Sequence, residues 1–219
     1  MASTRSMAHP IDFYFDFSCP YAYLGSTQLS AIAAETGAEI RLRPFLLGGV
    51  FLHLGQAQNM STTLNAPKKR HNRNDLIRWA ALFDVPLNKP FRHPNRTVEA
   101  LRVFLASPDD SKADVMAALY RLYWQDSADI SDPDLLCDAL NGLGLDGPSI
   151  VAKSRTPAIK KALFACTDNA IDAGVFGAPA WVVDGELFWG QDRIEMVKRA
   201  TRGWKPTEQQ RAFDFNQDA

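Results

Sequence analysis

Strict alternation of apolar and polar positions opens the readable part of the chain. In IDFYFDF, Ile11, Phe13, Phe15 and Phe17 fall on one face of an extended segment, with Asp12, Tyr14 and Asp16 on the other, which predicts a strand. The alternation stops at Ser18-Cys19-Pro20. Helix-compatible residues then run on to Gly37, which predicts one helix ended by a glycine. Ile40 to Phe45 alternates again, so strand, helix and strand read as a βαβ unit with two parallel strands. Leu46 to Val50 leads into a polar segment, Gln56 to Asn74, that has no compelling helix or strand pattern and carries the basic cluster Lys68, Lys69, Arg70, His71 and Arg73.

From Asp75 the spacing becomes helical. Asp75–Phe83, Thr97–Ala106, Asp110–Gln125, a segment started by Ser131-Asp132-Pro133, then Pro148–Lys153 and Thr156–Ala173 read as helices. Strand signals return at Ala180–Asp184 and Glu186–Trp189, joined by Asp184-Gly185, a type I′ hairpin signal. A last helix, Asp192–Arg202, begins with Asp192 as N-cap and Glu195 three residues on, an approximate capping box, and Pro206 onward reads as a frayed tail.

Two strands do not make a stable sheet alone. The economical solution pairs the early strands with the late hairpin and leaves the helical block as an insertion. This is an α/β, thioredoxin-like fold with an inserted all-helical domain. Residues 9–50 and 155–204 then form a discontinuous thioredoxin-like domain, and residues 51–154 the helical one.

Composition narrows the function classes. A formal charge of −1 gives no electrostatic reason to expect nucleic acid or an anionic membrane as partner. No apolar run approaches the roughly 20 residues that span a bilayer. The start, MASTRSMAHP, lacks the apolar region of a secretory signal, so residues 1–8 read as a disordered leader. The three cysteines, Cys19, Cys137 and Cys166, are odd in number and widely separated, which suits a reducing cytoplasm better than a disulfide framework. Neither the four histidines nor the cysteines have ligand spacing for zinc. There is no phosphate-binding glycine loop and no serine nucleophile elbow.

The chemistry points to Cys19. It falls at a strand-to-helix junction, with Pro20 placed where a missing N–H is harmless, at the positive end of a helix dipole. Cysteines so placed have pKa values lowered to about 3.5–7.5, so a thiolate and the fastest alkylation of the three cysteines are expected. Pro179, directly before a strand, is a candidate cis-proline. Met116, Tyr120 and Tyr123 read as helix core, and Trp181 and Trp189 as supports of the sheet and pocket wall.

The combination DFYFDFSCPYAYLG, RPFLLGGVF and FGAPAWVVDGELFWGQDR, spread from Ile11 to Ala200, resembles the 2-hydroxychromene-2-carboxylate isomerases. These belong with the kappa-class glutathione transferases in the DsbA-like thioredoxin superfamily. The resemblance implies glutathione as cofactor, a small aromatic substrate, a homodimer, and a pocket between the two domains. It implies a glutathione-dependent cis–trans isomerisation in aromatic catabolism. The alternative is a kappa-like transferase or a monothiol thiol–disulfide oxidoreductase using Cys19.

Residue by residue, Cys19 stands where most relatives carry a serine that donates to the glutathione sulfur, and Ala22 stands where a CxxC motif has its second cysteine. The backbone of Ala178, before Pro179, would pair with the cysteinyl part of glutathione. Gln191 and Asp192 would hold its γ-glutamyl end, and Lys68 would meet a glutathione or substrate carboxylate. Asn95 and Arg96, with Tyr21 beside Cys19, are candidates for orienting substrate.

Overall fold

Phenylalanines on one face of the first strand decide where the core lies. A computed structural model describes residues 8–58, 62–90 and 92–211. In it β1 (Ile11–Phe15) buries Ile11, Phe13 and Phe15 completely. It is followed by α1 (Pro20–Ser26), α2 (Leu29–Thr36), β2 (Ile40–Pro44) and α3 (Leu47–His53). The helical stretch consists of α4 (Ala66–Leu82), α5 (Val98–Ala106), α6 (Lys112–Trp124), α7 (Pro133–Asn141), α8 (Gly147–Ser154) and α9 (Pro157–Asp172). The chain returns through β3 (Ala180–Val183), β4 (Glu186–Trp189), α10 (Ile194–Thr201) and α11 (Glu208–Arg211).

The sheet has the order β2-β1-β3-β4, with β1 parallel to β2 and antiparallel to β3. The early strands therefore pair with the late hairpin, as the sequence leads one to expect. Phe13 lies opposite Leu42 on one side and Trp181 on the other, its ring centroid 4.5 Å from the indole. Phe15 and Phe17 pack edge-on against Phe104 of α5 and Tyr120 of α6, at 5.2 and 4.9 Å. Trp124 at the end of α6 donates its indole N–H to the Phe17 carbonyl over 2.9 Å. The inserted helices and the strand thus share one apolar core, each buried aromatic contributing on the order of 2 kcal/mol.

The structure departs from the sequence reading at several places. The polar face of β1 is covered as well: Tyr14 and Asp16 are buried, with β2 and α9 packed alongside. The helix after Cys19 is two helices. The Ser26 and Thr27 hydroxyls donate to the Tyr23 and Leu24 carbonyls, offering those groups a partner other than the helix ladder. The segment 66–74 is helical and continuous with the helix expected from Asp75, capped by Asn65, whose side chain accepts from the Lys68 N–H at 3.0 Å. Its polarity hid it, because the first turns face solvent and only the later residues Leu76, Trp79 and Ala80 meet the core. Asp192 is not an N-cap: a 3₁₀ turn, Gln191–Arg193, precedes α10. Part of the expected tail is ordered, since Arg211 of α11 pairs with Glu186 of β4. Residues 1–7 of the expected leader lie outside the described residues.

Candidate active site

Cys19 is the last extended residue before α1 (φ −90°, ψ 115°), and its N–H closes a turn onto the Asp16 carbonyl at 3.1 Å. Its carbonyl accepts the first helical bond, from Tyr23, also at 3.1 Å. The thiol donates to the carbonyl of Ala178 over 3.0 Å, linking positions 159 residues apart in the chain. The Ala178–Pro179 peptide is cis, as anticipated for this proline. The Pro179 carbonyl accepts from the Gly190 N–H at 3.0 Å, and the Gly190 carbonyl accepts from the Trp181 indole at 3.0 Å. The loop carrying Ala178 is therefore fixed to the end of β4.

Cys19 is 8% exposed, and burial pushes its thiol up to about 12. The Ala22 and Tyr21 N–H groups at the start of α1 pull the other way, and the charge of Asp16 adds to the rise. The helix terminus thus acts in the expected direction, but desolvation outweighs it. The expectation of a thiolate is corrected: burial holds Cys19 as a protonated hydrogen-bond donor to the Ala178 carbonyl.

Other elements close around this sulfur. Tyr21, half-buried in α1, has its phenol pushed up to about 12 by burial first, and then by the carboxylates of Asp75 on α4 and Asp192. Both α4 and the Gln191–Arg193 turn pack on α1. Gln191 is buried and Asp192 exposed, its carboxylate 2.8 Å from the Arg193 guanidinium. Tyr120 is buried behind the turn and donates to the Asp16 carbonyl at 3.3 Å.

Residues 10–202 match the model of the DSBA-like thioredoxin domain. The chain is 32% identical to the 2-hydroxychromene-2-carboxylate isomerase of Sphingobium xenophagum over 192 residues, 88% of this chain and 97% of the relative. It belongs to the DsbA-like thioredoxin family. A kappa-class glutathione S-transferase of Caenorhabditis elegans is 29% identical over 203 residues, covering 85% and 88%. A solved selenomethionine 2-hydroxychromene-2-carboxylate isomerase superposes with a TM-score of 0.80 at 27% identity, over 88% of this chain and 94% of that one. The cytosolic disulfide reductase DsbM of Pseudomonas aeruginosa shares the fold, with a TM-score of 0.60, 18% identity, and coverage of 89% and 96%.

Within this DsbA-like chain the remaining candidates separate. Cys19, Ala178 and Pro179 meet at one point, Tyr21 stands in α1 itself, and Gln191 and Asp192 stand on the turn that packs on α1. Lys68 is exposed in the first turn of α4, and its described contact is through the backbone. Asn95 and Arg96 are engaged elsewhere. Asn95 bonds the Tyr123 hydroxyl (2.9 Å) and Asp129 (3.1 Å), and Arg96 pairs with Glu99 at 3.3 Å on the surface. Asp16, Asp75 and Tyr120 were not singled out by the sequence as site residues. Asp75 reads as a helix start and Tyr120 as core, and nothing local tells which buried polar group will lie beside a reactive sulfur. Tyr120, Met116 and Tyr123 are core residues as expected, and Trp181 is fully buried beneath the site.

Proposed function

We propose that the protein is a glutathione-dependent isomerase that carries out the cis–trans rearrangement of a 2-hydroxychromene-2-carboxylate in aromatic catabolism. The observation that carries this reading is the Cys19 S–H aimed at the carbonyl before a cis-proline. A neutral thiol there serves as the serine hydroxyl is expected to serve in relatives, as a donor. The site fits glutathione. Ala178 lies beside cis-Pro179 with an N–H that makes no hydrogen bond among the described residues, so an extended peptide can pair with it as an added strand. Asp192 offers a carboxylate for an ammonium group, with Gln191 next to it. When bound, glutathione supplies a sulfur nucleophile whose addition makes a conjugated double bond single and whose departure restores it.

The chain's own residues then have distinct tasks. Cys19 turns its S–H from the Ala178 carbonyl to an incoming sulfur anion and stabilises it without ionising. Tyr21, kept protonated, offers an O–H toward an oxygen that gains charge as the side chain becomes an enolate. Lys68, Asn95 and Arg96 remain candidates for substrate carboxylate and ring only if α4 and the helical block shift on binding. We assign the pocket to the seam between residues 9–50 with 155–204 and the inserted residues 51–154. We also propose a homodimer, which the exposed Leu52 and Phe164 on the packed helices α3 and α9 would favour. A cytoplasmic setting suits the three free thiols.

A kappa-type transferase is the second reading, supported by the relatives of that class. A monothiol redox role is weakened by the protonated Cys19 and by Ala22 at the resolving position. A steady-state assay with 2-hydroxychromene-2-carboxylate, run with and without glutathione, separates these. Isomerisation that requires glutathione and leaves its total unchanged supports the first reading, and loss of glutathione into an adduct replaces it with the second. No turnover in either condition overturns both.

A further inference from the structure

Helices α5, α7 and α8 pack on one another in the inserted block and leave a hollow of about 180 Å³ between them. Val103, Leu136 and Val151 give it an apolar wall, and Glu99, Arg102 and Arg155 are its charged groups. Neither α1, α4 nor the Ala178 loop contributes to its lining. A cavity of about 150 Å³ accepts a benzene ring in another protein, so the hollow has room for a ligand of one ring's size.

The charged groups are unequally served. One Glu99 oxygen holds Arg96 at 3.3 Å. The other, Oε2, and the Nε of Arg102 are both enclosed, and neither has a hydrogen-bond partner among the described residues. They stand three residues apart on α5, at the spacing of neighbours on a helix face, yet do not meet each other. Neither Arg102 nor Arg155 pairs with a carboxylate among the described residues. Enclosed polar groups are almost always paired, and a charged one left without a partner is costly. Glu99 and Arg102 are each only partly buried, so a small rotation of either side chain turns these atoms to the hollow.

What would satisfy both is a molecule with an acceptor for Arg102 and a donor for Glu99. Three guanidiniums, counting Arg96, against the one carboxylate of Glu99 leave the cluster positive. That favours an anion and disfavours an ammonium as the donor, so the donor is a neutral hydroxyl. A carboxylate matches the guanidinium fork.

We propose that this hollow is a binding site for a small hydroxy carboxylate. Its carboxylate accepts from Arg102 and Arg155, its hydroxyl donates to Glu99, and its hydrocarbon body lies on Val103, Leu136 and Val151. The site is separate from Cys19 and does not rest on the isomerase reading.

The test is calorimetric titration with mandelate and with phenylacetate, which lacks only the hydroxyl. Mandelate should bind one equivalent with a Kd of about 1 mM or tighter. Phenylacetate should bind about tenfold more weakly, and that gap should close in Glu99→Ala. Arg102→Met and Arg155→Met should each weaken mandelate about tenfold. No binding of mandelate, equal affinity for the two acids, or mandelate binding unaltered by Arg155→Met overturns the proposal. The Arg155 side chain is exposed, so that variant decides the matter even if Arg102→Met fails to fold. Displacement of mandelate by saturating glutathione would place it at the Cys19 site and also overturn the proposal. None of these readouts depends on turnover of chromene carboxylate.

Discussion

The Cys19 thiol and the Ala178 carbonyl stand 3.0 Å apart, one at the mouth of a helix and the other on the loop that enters β3. This contact is between a donor and an acceptor. It requires the sulfur to keep its proton, and burial sees to that.

Replacing Cys19 by serine keeps an O–H donor in the same place. Cys19→Ser should hold isomerisation within about tenfold of the unmodified rate. Cys19→Ala removes the donor and should cost about 10²-fold in kcat, as loss of one anion-stabilising donor does elsewhere. Equal activity in both variants would remove Cys19 from the chemistry.

Alkylation order gives a second check. With a thiol pushed up to about 12, the thiolate fraction of Cys19 at pH 7.5 is about 10^−4.5, and the group is 8% exposed. Cys19 should react more slowly than Cys137 or Cys166 at neutral pH. Fastest labelling at Cys19 would restore the activated-thiolate picture.

Gly177 lies where the loop passes under an aromatic ring. A Cβ there would stand 2.6 Å from the indole nitrogen of Trp189, whose ring also packs on Phe176 at 5.2 Å. Gly177→Ala must displace that ring or the loop. A stability loss of about 1–3 kcal/mol is expected, with a lower midpoint in urea. Because Ala178 is the next residue, activity should fall with it.

His93 sets a limit on acid stability. Its ring packs on Trp124 at a centroid distance of 5.0 Å and meets the Tyr123 hydroxyl at 3.0 Å, and burial, then the Lys89 charge, pull its pKa down to about 4. The unfolded chain, near 6.5, binds the proton more readily. The stability this group contributes is therefore complete above pH 6.5 and drains away as pH falls toward 4. The loss is roughly 2 kcal/mol after allowance for its partial exposure. Denaturant midpoints at pH 7 and pH 4.5 should differ less in His93→Gln than in the unmodified protein, a comparison that cancels carboxylates titrating in the same window. An equal difference in both would exclude His93.

How far the sequence speaks depends on whether a feature is local. The hairpin is legible because Asp184 and Gly185 adopt the left-handed backbone their type favours, with φ of 48° and 80°. That the early strands pair with the late hairpin follows from the need of two strands for more partners. The first turns of α4 are illegible, since Lys68, Lys69 and Arg70 make a helix without an apolar stripe and tertiary packing of the later turns holds it. The protonation of Cys19 is illegible for a related reason. A helix terminus can be read from neighbouring residues, whereas the desolvation that outweighs it comes from Ala178, Tyr120 and the rest of the core, far along the chain.

That distance has a kinetic side. A ribosome that has released α1 has made the sulfur but not the strand that shields it. Until the FGAP loop and its hairpin emerge, Cys19 is an ordinary, solvent-accessible thiol on a nascent chain. Its vulnerability to oxidants should therefore belong to synthesis and to refolding, and end when the last strands dock.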